Sequence, residues 1–206
     1  MTTPISRGPY AKGIAKREEI LRTALEVFAA GGAKGSSLRG LAEAAGLSQA
    51  GLLHYFGSKE ELFVEVLRAR DQGDIETFQD EDVVRTLVRV IRHNLDVPGL
   101  VELYARLSVA AADPAHPGHA FFVERYAAFR ALFRQYVRGM QERGELDPGL
   151  DPEGVATLIL AAADGLQTQW MLDPSIDMAA RVAELWTIIA ASQPSVNAPT
   201  RVDTHD

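Results

Sequence analysis

Apolar residues recur at intervals of three and four along nearly the whole chain, and β-branched residues nowhere alternate with polar ones for long. That spacing lines one face of successive helices and predicts an all-α protein of about nine helices. The first helix is expected from about Ile14 to Ala30, with Ile20, Leu21, Ala24, Leu25 and Phe28 on one face and Gly31-Gly32 as its stop. Two short helices follow, Leu38–Ala45 and Gln49–Phe56, separated by Gly46-Leu47. Ser58-Lys59-Glu60-Glu61 has the form of a capping box and starts a fourth helix that is expected to end near Ala69. The acidic stretch Asp71–Asp82 is read as the connection to a second domain. Five more helices are expected beyond it, at about Val83–Leu95, Gly99–Ala111, Gly118–Arg143, Pro152–Leu172 and Met178–Ser192. Asp151-Pro152 is a well-formed start, a cap followed by proline at the first helical position. The division so read is a flexible basic tail at 1–13, a helix-turn-helix domain at 14–70, a helical domain at 82–192 and a disordered tail at 193–206.

Charge changes what this pattern means. The net charge is −7, which by itself argues against a polyanion partner. Residues 1–59, however, carry eight Lys/Arg against four Asp/Glu, while the remainder carries 13 against 24. A basic head on an acidic body points to a head that alone meets nucleic acid. The 47% of apolar residues is enough for a packed core and argues against disorder. No apolar run reaches the roughly 18 residues of a membrane span, the N-terminus lacks the apolar core of a signal peptide, and there is no cysteine. These features make a cytoplasmic protein the expectation.

The informative segment is Ser36–Lys59, SSLRGLAEAAGLSQAGLLHYFGSK. Two short helices around a glycine turn form a helix-turn-helix. Leu38, Leu41, Ala45, Leu47, Leu52 and Phe56 supply a small core, and Ala42 lets the second helix cross closely. Gln49, Ala50, Gly51, His54 and Tyr55 remain to face a major groove. The run Ser37-Leu38-Arg39-Gly40-Leu41-Ala42-Glu43-Ala44-Ala45-Gly46-Leu47-Ser48, then Leu52-Leu53-His54-Tyr55-Phe56 and Lys59-Glu60-Glu61-Leu62, resembles the tetracycline-repressor (TetR) family over about residues 15–67. The resemblance implies phosphate contacts from Ser36, Ser37, Ser48, Tyr55 and Lys59, and base-edge contacts from Arg39, Gln49, Ala50, Gly51 and His54. Leu53 stands where the family often has tyrosine, so no phosphate contact is carried over there. Arg39 has a second use, a pair with Glu43 four residues on.

For the body, the resemblance implies a small-molecule effector site and a homodimer formed by the last two helices. The sequence offers Leu158, Ala162, Leu166, Leu185, Trp186 and Ile189 as interface residues. It offers Tyr104, Phe129, Phe133, Gln167 and Trp170 for the effector, with His93, Asn94 and Gln169 as further polar groups. Asp164, in an apolar helix, reads as a satisfied polar residue at an interface. No catalytic motif is present, and His116-Pro117-Gly118-His119 lacks the carboxylates of a metal site, so neither a cofactor nor a metal is expected. The expected function is a ligand-responsive repressor that leaves a palindromic operator when effector binds. The alternative is an all-helical small-molecule-binding protein or enzyme with a vestigial DNA-binding head.

Overall fold

The computed structural model describes residues 9–35, 37–78 and 82–191, with nine α-helices and no strand among them. They are α1 (Pro9–Gly35), α2 (Leu38–Ala44), α3 (Gln49–Phe56), α4 (Lys59–Thr77), α5 (Val83–Leu95), α6 (Pro98–Ala110), α7 (His119–Glu142), α8 (Pro152–Leu172) and α9 (Met178–Ala190). Ser36, Ser192 and most of the two tails, residues 1–8 and 193–206, lie outside the described residues. Residues 9–13, expected in the basic tail, form the first turn of α1.

Two helices run past their expected ends. α1 continues through Gly31-Gly32 to Gly35. α4 continues eight residues past Ala69, so most of the presumed linker is helix. The reason for the second is visible in its buried face. Leu62, Phe63, Val66 and Leu67 are followed at helical spacing by Arg70 and Asp74, and all six are buried. Arg70 lies over the Tyr104 ring of α6 and its neighbour Asp71 pairs with Arg125 of α7, so the helix has contacts in the body and no cause to stop.

Local chemistry sets the rest. α2 begins at Ser37, whose Oγ accepts from the Gly40 N–H at 3.0 Å. It ends in a paired closure: Leu47 N–H donates to Ala42 O and Gly46 N–H to Glu43 O, with Gly46 at φ 67°. That left-handed residue is the reason glycine is needed here. Ser48 and Ser58 cap α3 and α4 in the same way, each accepting at 3.0 Å from the N–H three residues on. Asp82, Asp151 and Asp177 cap α5, α8 and α9.

Two hydrophobic cores result, and the first spans residues from both sides of the expected connection. The first joins Ile20, Ala24, Phe28, Leu41, Leu52, Phe56, Leu62 and Val66 of α1–α4 to Leu100, Leu103, Tyr104, Leu107, Phe121 and Phe122 of α6 and α7. The second joins Val84, Phe133, Val137, Leu146, Val155, Ala156 and Ile159. Burying a side chain such as Phe28 or Phe133 contributes about 1.5–3 kcal/mol. The head is thus welded to the body by shared packing, and α4 passes from one into the other.

Candidate functional site

The first candidate surface is the helix-turn-helix. α2 and α3 cross through buried Leu41, Ala42, Leu52 and Phe56, with Leu38, Ala45 and Leu47 partly buried against them. Arg17 of α1 fixes the end of α3: its guanidinium lies 4.6 Å from the Phe56 ring centre, and it donates to the Tyr55 carbonyl at 2.5 Å. What α3 leaves in solvent is Gln49, Ala50 and His54, with Gly51 half-buried. Ser37 and Ser48 are exposed and already engaged as caps. Lys59 is exposed at the first turn of α4, its Nζ 5.4 Å from the Phe63 ring centre.

Two expected contacts look different in detail. Arg39 is exposed but paired with Glu43 at 2.8 Å, which it must leave to reach a base. Tyr55 is half-buried against the head core rather than fully outward, with its ring 5.8 Å from that of His54. Ser36 lies outside the described residues.

The second candidate is a cavity of about 670 Å³ between the two cores, walled by α4, α5, α6, α7 and α8. Tyr104, Phe129, Phe133 and Gln167 line it, as the sequence suggested, and Asn94 joins them. Trp170 does not. It lies one turn beyond Gln167, past the end of the cavity, on an open groove shared with Pro98 and Gly99 at the start of α6. His93 is exposed and tilted against Phe78, with ring centres 5.4 Å apart.

One end of the cavity is strongly polar, and sequence reasoning missed most of it. Arg125 donates to Asp71 through Nε at 2.6 Å and to the Tyr104 hydroxyl through Nη1 at 3.0 Å. Its guanidinium lies over the Tyr104 and Phe129 rings, at 4.8 and 4.6 Å. Arg70 holds the other side of Asp71 at 2.9 Å. Burial alone would raise the Asp71 carboxyl, but Arg125 and Arg70 more than reverse this and hold it below the usual carboxylate range. Asp164 accepts from the hydroxyls of Tyr104, at 3.1 Å, and Tyr126. It is therefore satisfied, as expected, but inside this network rather than at an interface. Burial raises both tyrosine hydroxyls above the ordinary phenol range, and the Asp164 carboxylate adds to this. Asp74 is the exception: buried, on the cavity wall, and with no hydrogen bond to its Oδ2. The signal for Arg70 and Asp74 was present as an unbroken continuation of the α4 stripe. Arg125, the partner of Asp71, lies more than fifty residues away and had none.

The last two helices divide the expected interface residues. Leu158 is 61% exposed, whereas Leu185, Trp186 and Ile189 are partly buried against the second core of the same chain. Ala162 and Leu166 are intermediate. Leu172, at 84% exposure, and Ile188 also face outward. Both histidines of the 116–119 loop have structural roles: Gly118 N–H donates to His116 Nδ1 at 3.0 Å, and His119 Nδ1 lies 2.8 Å from Ala111 O. Among the described residues no cluster could hold a metal ion, and no helix is long and apolar enough to cross a membrane.

Residues 20–66 match the family model described as bacterial regulatory proteins, tetR family, and residues 83–192 match that of the BetI-type transcriptional repressor C-terminal region. The second match alone covers more than half of the chain. The chain belongs to the TetR family of transcriptional regulators. Among TetR relatives, the repressor AcnR of Corynebacterium efficiens is 37% identical over 98 residues, 48% of each chain, so the match spans about half of that protein. The regulator RutR of Escherichia coli is 28% identical over 163 residues, 72% of each chain. A crystal structure of a TetR-family regulator from Rhodococcus sp. shares the fold with a TM-score of 0.62, at 20% identity, over 85% of this chain and 98% of that one. The helix-turn-helix thus falls within the first matched region and the walls of the cavity from α5 onward within the second.

Proposed function

We propose that this protein is a homodimeric repressor that releases a two-fold symmetric operator when a small molecule fills the cavity between its cores. In this reading residues 14–70 bind DNA and residues 82–192 bind effector and dimerise, a division of labour rather than of packing. Two copies of α3 enter successive major grooves about 34–36 Å apart. Gln49, Ala50, Gly51, His54 and Arg39 read base edges, while Ser36, Ser37, Ser48, Tyr55 and Lys59 hold phosphates. The pair of recognition helices is set by a dimer through α8 and α9, supported by the apolar outward face at Leu158 and Leu172.

The observation that carries the proposal is α4. It starts beside α3 with exposed Lys59 and ends in the cavity wall with Arg70, Asp71 and Asp74. A ligand that favours one position of α4 therefore changes the spacing of the heads and the affinity for operator. Selection of genomic DNA fragments by the purified protein at about 150 mM salt, near the physiological regime, tests it. Enrichment of a short palindrome is expected, with Lys59→Ala weakening binding and lowering the salt slope by about one. Diffuse coverage, or binding indifferent to Lys59→Ala, would overturn the assignment.

A further inference from the structure

We infer that the effector of this cavity is an apolar molecule bearing a protonated amine, and that the amine sits at Asp74. The inference rests on the reading of the cavity as the effector site and adds the chemical class. Three carboxyl groups and two guanidiniums line the polar end. Asp71 is held by both Arg70 and Arg125, and Asp164 by the hydroxyls of Tyr104 and Tyr126. Asp74 is not closed off in this way, because its Oδ2 is left over. Its residue is 7% exposed, it lines the cavity, and among the described residues no hydrogen bond reaches its Oδ2. A buried carboxyl without a donor is costly, and the cost falls when a charged donor arrives.

The alternatives fit less well. Arg125 already directs Nε, Nη1 and Nη2 at Asp71 and Tyr104; the buried donor left over, Arg70 Nε, sits on a guanidinium that Asp71 already holds, so an incoming carboxylate would add a fourth acid to an acidic excess of three carboxyls over two guanidiniums. A neutral alcohol supplies one hydrogen bond and leaves the charge uncompensated. A protonated amine supplies donors and charge together. Burial pushes the Asp74 carboxyl above the usual carboxylate range, more than nearby Arg70 and His93 lower it, which is the state a cationic ligand would relieve. Leu87, Val90, Ile91, Phe129 and Leu132 supply an apolar wall for the rest of the molecule.

The test compares decylamine, decanol and decanoate, which share one apolar body, by calorimetric titration of the full chain at neutral pH. Decylamine is expected to bind at least about tenfold tighter than decanol, with decanoate weakest. Asp74→Asn should reduce the amine-to-alcohol ratio to about threefold or less. Asp74→Glu, which keeps the charge, should retain the preference. Circular dichroism and the urea midpoint establish that each variant is folded. Equal or tighter binding of decanol or decanoate, binding of none of the three, or a ratio indifferent to Asp74→Asn would overturn the inference. Release of the selected DNA fragment is read in parallel. An amine preference without release would overturn the regulatory reading alone, and a decanoate preference with release would overturn the ligand class alone.

Discussion

Replacing Arg125 with methionine removes the link between α7 and α4 while keeping an unbranched stem against Tyr104 and Phe129. The change deletes the 2.6 Å bond to Asp71 and the 3.0 Å bond to the Tyr104 hydroxyl. Breaking a buried ion pair from one side costs about 3–5 kcal/mol, because a charge is left without its partner. Asp71 retains Arg70 at 2.9 Å, which puts the expected loss at the lower end, about 3 kcal/mol. For a chain of this size that is a fall in Tm of about 6–12 °C. Urea unfolding at fixed protein concentration measures it, since a dimer's apparent stability depends on concentration. Asp71→Asn with Arg125→Met should cost at least about 1 kcal/mol less than the sum of the single changes, because both partners of the 2.6 Å pair are then removed together, while Arg70 loses Asp71 in the single and the double variant alike. The gap between wild type and Arg125→Met also depends on pH. Asp71 is held low in the folded state, so its contribution is full above the unfolded carboxylate value and is lost as pH falls through the folded one. The gap should therefore narrow below about pH 5. A loss under about 1 kcal/mol, or strictly additive single changes, would refute the claim that this pair holds α4 to α7.

Leu158→Glu with Leu172→Glu should give a folded monomer in sedimentation equilibrium and weaken operator binding by about a hundredfold or more, the loss of two-site binding; an intact dimer would move the interface elsewhere. Asp74→Asn should stabilise the free protein at pH 7 by about 1 kcal/mol. The folded Asp74 carboxyl is raised, so its cost is borne above the folded value and disappears below the unfolded one. Urea midpoints should accordingly converge in acid, and a variant less stable than wild type at pH 7 would contradict the burial argument. Gly46→Ala should cost about 1–2 kcal/mol and Gly46→Asn less, because nothing lies within 4 Å of the added Cβ and the cost is that of the left-handed backbone alone. Thermal unfolding of the two variants checks the order.

Local signals were legible where they are local. Ser37, Ser48 and Ser58 stand at three helix starts within one short segment, and each accepts the N–H of the residue three positions on. Asp151-Pro152 does the same for α8, and the expected starts at Pro152 and Met178 are those observed. The linker was misread because Arg70, Asp71 and Asp74 look like solvated charges until Arg125 and Tyr104 are brought beside them. The helical spacing from Leu67 puts Arg70 and Asp74 on the buried stripe, but the partner that makes Asp71 tolerable there is supplied only by the tertiary fold. Gly31-Gly32 was overweighted in a similar way, since glycine lowers helix propensity by only about 1 kcal/mol each and a helix already running can absorb that. The aromatic residues of the cavity were partly legible. Tyr104, Phe129 and Phe133 were named from composition and spacing, but the same spacing also nominated Trp170, one turn too far along α8.

The first core, which runs from Phe28 and Phe63 of the head to Leu103 and Phe122 of the body, limits how this protein can be recombined. A chimera that grafts another regulator's reading head at the acidic junction would cut through that core. The foreign α1 and α4 would meet α6 and α7 surfaces shaped for different side chains, and Asp71 and Arg125 would come from different parents. New operator specificity is therefore more readily gained by exchanging the few outward residues of α3 than by exchanging the head, because α3 is the part of the head whose exposed face owes nothing to the body.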